Sequence, residues 1–210
     1  MRMSELSTVT GVPVPTLKYY LREGLLHAGH RQAPNQAQYD DSHVARVRLL
    51  RVLREVGGVP VARLRELVAA VDGVTTENID AMRAAAYALS PVPPRAGPDR
   101  QRAREIATAV IEAAGWARVS DDAPDRENLA AAIEVIVGFG THEDRLSIID
   151  EYARVADAVA RFEVADLDAA APRDALLAQL VVGQVVFGEM LASLRRLAEE
   201  HHSAVRFETE

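Results

Sequence analysis

Between Val12 and Leu26, the run Lys18-Tyr19-Tyr20-Leu21-Arg22 sets two tyrosines between two cations. Leu17, Tyr20, Leu21 and Leu25 follow helical spacing and make an apolar stripe, which leaves Thr16, Lys18, Tyr19 and Arg22 facing outward. A helix face rich in hydrogen-bond donors suits phosphate oxygens and the edges of bases. Charge distribution points the same way. Residues 1–65 carry ten Lys/Arg against five Asp/Glu, a balance of +5, which leaves −12 for the rest of a chain whose net charge is −7. A cationic head on an acidic body is the electrostatic pattern of a polyanion binder.

Other chemistries find little support. There are no cysteines, so disulfides, thiolate metal sites and thiol redox sensing are excluded. Among six histidines, His201-His202 are adjacent and His142-Glu143 opens a helix; neither shows the i, i+4 spacing of a ligand pair, and no metal site is expected. His27 and His30 are better placed for phosphate. No Gly-rich phosphate loop, Gly-x-Ser-x-Gly or His-Glu-x-x-His pattern occurs, and the acidic groups have no nucleophile at a telling distance, so no enzyme and no cofactor are expected. No apolar run approaches the ~20 residues of a membrane span and the N-terminus carries no signal-peptide core, so a cytoplasmic protein without membrane contact is expected.

The elements that must position the cationic helix can be read in order. Ser4 is a candidate N-cap for a first helix that buries Leu6 and Val9, with Gly11 as its C-terminal stop. Val12-Pro13-Val14-Pro15 makes a short, stiff connection, and Gly24 ends the second helix. Two short helices so joined form a helix-turn-helix with the second as reader. His27 to Tyr39 is polar with turn formers at Gly29, Pro34 and Asn35, which predicts a two-stranded hairpin, or wing. Asp40 or Asp41 caps a third helix with Val44, Val47, Leu50, Leu53 and Val56 inside and Arg46, Arg48, Arg51 and Arg54 opposite. Gly57-Gly58 stop it, and Pro60 opens a fourth with Val61, Leu64, Leu67 and Val68.

In this order and spacing, Met3-Ser4-Glu5-Leu6, Thr10-Gly11-Val12, Thr16-Leu17-Lys18-Tyr19-Tyr20, Glu23-Gly24-Leu25-Leu26 and Tyr39-Asp40 resemble the DNA-binding head of the MerR family of bacterial transcription regulators. The helix pair from Val44 to Leu67 completes the likeness, which covers about a third of the chain. The resemblance implies a winged helix-turn-helix whose second helix enters the major groove while the wing touches flanking backbone. It also implies a homodimer that distorts double-stranded promoter DNA so that RNA polymerase can engage. The family's Arg-Tyr-Tyr maps to Lys18-Tyr19-Tyr20, and the wing tyrosine to Tyr39. Where the family's wing has Gly-Tyr-Arg this chain has Asn35-Gln36-Ala37, which leaves the phosphate contact to His30 or Arg31. The expected DNA-contacting set is Ser4, Val14, Pro15, Thr16, Lys18, Tyr19, Tyr20, Arg22, His30, Arg31, Tyr39 and Arg46.

The fold class expected is therefore mainly α: a winged helix-turn-helix over 1–72 with a small two-stranded wing, a short linking helix and Pro-rich linker over 73–98, and an all-helical effector-binding or dimerisation domain over 99–210. The family's long dimerising helix is shortened here, since the helix from Thr76 to Leu89 spans roughly 21 Å before Ser90-Pro91-Val92-Pro93-Pro94 interrupts it. Four helices should follow: Asp99 to Arg118, Asp125 to Phe139, one capped by Thr141 that buries Leu146, Ile149, Tyr152, Ala153, Val155, Ala156, Val159 and Phe162, and one from Pro172 to His201. In general pattern this body is similar to the effector domains of TetR-type repressors. The last helix is apolar on nearly every side from Leu180 to Gly188, which favours a subunit interface. Trp116, Phe139, Tyr152, Phe162, Gln184 and Phe187 are the residues expected to line a site for a small organic effector. The competing readings are a helical protein–protein interaction module and a ligand-independent architectural protein.

Overall fold

The computed structural model describes residues 1–33, 36–73, 78–138 and 147–207. They are mainly helical, with one pair of short strands. Met1–Ala88 together with Ala170–Glu210 make one compact unit, and Leu89–Ala169 make a second. This division differs from the expected domain boundaries, because the last helix belongs with the N-terminal head.

In the first unit, α1 (Met3–Thr10) starts two residues earlier than a Ser4 cap requires. Ser4 lies inside the helix, and the Arg2 backbone N–H donates instead to the Glu5 carboxylate at 2.6 Å. Gly11 closes α1 at φ +70°, its N–H donating to the Ser7 carbonyl at 2.9 Å. The Ser7 hydroxyl then donates to the Val12 carbonyl at 2.7 Å and holds the connection to α2 (Val14–Arg22). Pro13 caps α2 and Pro15 sits in its first turn, where a missing N–H leaves no intrahelical bond unmade. Leu17 and Tyr20 are buried, and after Gly24 at φ +69° the chain returns Leu25 and Leu26 to the core.

Strands β1 (His30–Ala33) and β2 (Gln36–Gln38) pair antiparallel, His30 opposite Gln38 and Arg31 opposite Ala37, with an irregularity between Arg31 and Ala33. Of the two candidate caps, Asp40 takes α3 (Asp41–Glu55), accepting from the Ser42 N–H at 3.0 Å. Val44, Val47, Leu50 and Leu53 are buried, but Val56 is 48% exposed because it lies past the last helical turn. Helix α4 (Val61–Asp72) buries Leu64, Leu67 and Val68, and α5 (Asn78–Leu89) buries Ala81, Ala85 and Ala88.

Helix α9 (Arg173–Phe207) is 35 residues long, about 52 Å, and runs past the expected end at His201. It packs against α3 and α4 through its first half, where Leu176, Leu177 and Val181 are buried. Gly57 is the contact point: a Cβ there would stand 2.6 Å from the Val185 side chain. From Ala175 to Phe207, α9 contains an 18-residue window of mean hydropathy 1.7, and only 17% of that window is buried. Length and composition alone would let this helix cross a membrane, a test that the core helix of a soluble protein also passes. Gln184 and Glu189 interrupt the apolar run but not the helix.

In the second unit, α6 (Arg100–Ala113), α7 (Pro124–Gly138) and α8 (Ser147–Ala165) enclose Ala103, Ala107, Val110, Ala130, Ile133 and Ile149. Alanines at the α6–α7 contact let the helices approach closely. Helix α6 is shorter than expected, ending before Gly115 at φ +72°. Arg100 is buried and its guanidinium donates to Glu127 at 2.7 Å and Glu134 at 2.8 Å; Arg104 shares Glu127 at 2.9 Å. Glu127 is consequently held down to about 2 by Arg104 and Arg100. The Pro-rich linker is tied to α7, with the Asn128 amide donating to the Pro91 carbonyl at 3.1 Å. The inner face expected for α8 is mostly outside: Ile149 is buried, whereas Tyr152, Val155 and Phe162 are exposed. Among the described residues this unit has three helices, and an exposed face of α8 remains. The expected Thr141 cap lies outside the described residues, as do Phe139 and His142.

Candidate nucleic-acid interface

Helix α2 presents two faces of opposite character. Inward, Leu17 is wholly buried and Tyr20 is 6% exposed, its hydroxyl pKa raised by burial. Outward, Pro15, Lys18 and Arg22 are exposed, with Val14, Thr16 and Tyr19 half-buried beside them. The Arg22 guanidinium lies 5.2 Å from the centre of the Tyr19 ring, a cation–π distance that orients both toward the same surface. Tyr20 thus holds the helix in place while Lys18, Tyr19 and Arg22 are available to a ligand.

Glu23 is the residue the sequence reading passed over. Its carboxylate takes Arg22 at 3.3 Å and also pairs with Arg65, 42 residues away on α4. The Arg65 hydrogen bond, with Arg22 behind it, holds the Glu23 carboxyl below its usual range. Adjacency could have suggested the Arg22 pair; nothing in the sequence marks Arg65. Arg46, expected at DNA, is instead largely covered and paired with Asp72 at the end of α4. Arg51 pairs with Glu55 at 2.8 Å and donates to the Thr10 carbonyl, and Arg54 donates to the Val59 carbonyl, so much of the arginine row of α3 is spent inside the head.

At the wing, Tyr39 is 6% exposed, and its backbone N–H donates to the Met1 carbonyl at 2.8 Å, which fastens the end of β2 to the start of the chain. His30 is exposed, 3.4 Å from Asp40. The Arg31 side chain lies outside the described residues. Ser4 is exposed on α1. Lys18, Tyr19 and Arg22 therefore share one surface, while Tyr20, Tyr39 and Arg46 are engaged in the fold.

The residues expected to line an effector site fall in both units, with Phe139 outside the described residues. Trp116 is half-buried and its indole N–H donates to Asp157 at 3.0 Å; Tyr152 and Phe162 are exposed on α8. Gln184 and Phe187 are on α9, in the other unit. The second unit instead holds a cavity of about 300 Å³ between α6 and α8, lined by Val110, Ala113, Ala114, Ala153, Asp150, Arg154 and Asp157. Trp116 and then Arg161 keep the Asp157 carboxyl below its usual range.

Comparison with known proteins agrees with this geometry. The family described as MerR HTH family regulatory protein matches residues 1–71. Nodulation protein NolA of Bradyrhizobium elkanii is 37% identical over 107 residues, 51% of this chain and 47% of NolA. NolA of Bradyrhizobium sp. strain NC92 is 40% identical over 75 residues, 36% of this chain and 30% of that protein. The chain thus spans about half or less of the length of these curated relatives. The crystal structure of SCO5550 from Streptomyces coelicolor A3(2), a proposed transcriptional regulator, superposes with a TM-score of 0.76 at 32% identity, covering 100% of this chain and 99% of that one. With its helix-turn-helix matched over 1–71 and its full length shared with a proposed regulator of known structure, this chain belongs to the MerR family of helix-turn-helix transcription regulators.

Proposed function

We propose that the chain binds double-stranded promoter DNA sequence-specifically as a homodimer, with α2 in the major groove and the β1–β2 wing on flanking phosphates. The observation that carries this reading is the exposed Lys18–Tyr19–Arg22 face on a helix whose opposite face is anchored by Leu17 and Tyr20. Cations on a fixed helix give both the salt-dependent grip and the register from which base edges are read. The setting is the bacterial cytoplasm, and polymerase is engaged through the promoter.

Helix α9 supplies the pairing surface, and its occupant is a second copy. Phe187, Leu191, Leu194, Ala198, His201 and Val205 recur at alternating spacings of four and three, a coiled-coil seam. In one chain Phe187 is 37%, Leu191 42%, Leu194 55% and Val205 69% exposed. Arg195-Arg196 followed by Glu199-Glu200 favours an antiparallel partner, which sets each basic pair against an acidic pair; a parallel one would oppose like charges. Helix α5, at about 18 Å, offers too short a seam for this purpose. On this reading a small organic effector occupies the cavity between α6 and α8, where Asp150 and Arg154 offer polar contacts of both signs.

A gel shift and footprint on the gene's own upstream region test the reading. A protected dyad whose binding weakens steeply with salt is expected. No protection, or affinity indifferent to salt, would leave an interaction module in its place.

A further inference from the structure

Three imidazoles converge on one carboxylate at the base of the wing. His43, in the first turn of α3, is wholly buried, and its Nδ1 lies 2.7 Å from Asp40 Oδ1. The same Nδ1 faces the Asp40 backbone N–H at 3.1 Å. The N–H requires a lone pair at Nδ1, while the carboxylate requires a proton there, so one of the two contacts is always unmatched. Nε2 of the same ring is buried without a hydrogen-bond partner among the described residues. His27, from the segment that follows α2, lies tilted against His43 with ring centres 3.8 Å apart. Its Nε2 is 3.0 Å from the Ser42 hydroxyl, which itself lies 2.5 Å from Asp40 Oδ1. The donor atoms of His27, Asp40 and His43 all lie within 4.8 Å of one another. His30 Nε2, at the start of β1, is 3.4 Å from the second oxygen of Asp40.

We infer that His27, Asp40 and His43 form a binding site for a divalent transition metal of the zinc type, with His30 or water completing a tetrahedron. Imidazole and carboxylate without thiolate suit Zn²⁺, Co²⁺ or Ni²⁺ rather than Ca²⁺ or Mg²⁺, which prefer all-oxygen cages. Tetrahedral bonds of about 2.0–2.1 Å put neighbouring donors roughly 3.3 Å apart, so the set must contract. His27 and His30 are exposed and free to swing inward, while His43 is fixed by burial. Bound there, the ion links the segment after α2, the first wing strand and the first turn of α3. It would set the wing's angle to the reading helix, a consequence that rests on the proposed DNA reading; binding of the metal does not.

The test is titration of the chelator-treated full chain with Zn²⁺ by calorimetry and with Co²⁺ by visible absorption, in the absence of DNA. One equivalent per chain and the strong visible bands of tetrahedral cobalt are expected. His27→Ala alters an exposed ring and should weaken binding at least about tenfold, with an unchanged circular-dichroism spectrum. The variant His202→Ala, outside the α9 seam, should bind like wild type. Absence of binding by wild type, undiminished affinity in His27→Ala, or loss of binding in His202→Ala would each overturn the site. A failed DNA footprint beside successful metal titration would count against the DNA reading alone.

Discussion

Lys18→Ala separates a grip on phosphate from a role in folding. Lys18 is exposed on α2 and makes no ion pair among the described residues, whereas Arg22 shares Glu23 at 3.3 Å. Removing Lys18 therefore deletes a cation without exposing apolar surface or orphaning a partner, and thermal stability should not change. Each phosphate contact contributes about 0.9 to the slope of log affinity against log salt, so two heads lose roughly 1.8. Between about 50 and 200 mM salt, a fourfold range, that difference compounds to about twelvefold. The variant should bind more weakly at low salt, and its deficit should shrink by about that factor at the upper end. Fluorescence anisotropy on an operator fragment and on a scrambled duplex measures it, and both should be affected alike. Parallel salt slopes for the two proteins would refute the phosphate role of Lys18.

Glu23→Gln releases Arg22 and Arg65 from their shared carboxylate and removes a negative charge beside the reading helix; DNA affinity in the same assay should rise several-fold, and a fall would show that Glu23 positions Arg22 rather than restrains it. Leu194→Glu puts a charge in the centre of the α9 seam and should yield monomers in light scattering at micromolar concentration; a dimer that survives it places the interface elsewhere, and flotation of wild type with anionic vesicles would point to a lipid surface instead. Glu127→Gln leaves the buried Arg100 with Glu134 alone and should destabilise the second unit by about 1–2 kcal/mol at pH 7 after solvent screening. Because the folded pKa of Glu127 lies below its ordinary 4.5, that stability is fully present above pH 4.5 and is lost as pH falls toward about 2. Trp116, the single tryptophan, sits in the same unit and reports its urea unfolding; an equal loss at pH 7 and pH 3 would contradict the ionic account.

Much of the head was legible because its signals are local. Gly11 and Gly24 at positive φ, two prolines at the start of α2 and the stripe of Leu17 and Tyr20 each act within a few residues of themselves. They settle where helices begin and end, and which side of α2 is wet. Periodicity was less reliable in the body. Tyr152 keeps i, i+3 spacing with Ile149, yet it is 53% exposed, since an apolar stripe says only that a face can be buried, not that a neighbour exists to bury it.

The sequence by itself determined the helix-turn-helix, the cationic face of α2 and the apolar character of the last helix, because each depends on residue type at short separation. Tertiary structure decided which charges remain available. Arg46 goes to Asp72 and Arg65 to Glu23, pairings 26 and 42 residues apart that no spacing rule anticipates. It also returned α9 to the head rather than to the body and brought His27 to His43, which sit on different elements. A ligand rule based on i, i+4 spacing sees one helix at a time, whereas chain folding places side chains by packing, and packing is indifferent to sequence distance.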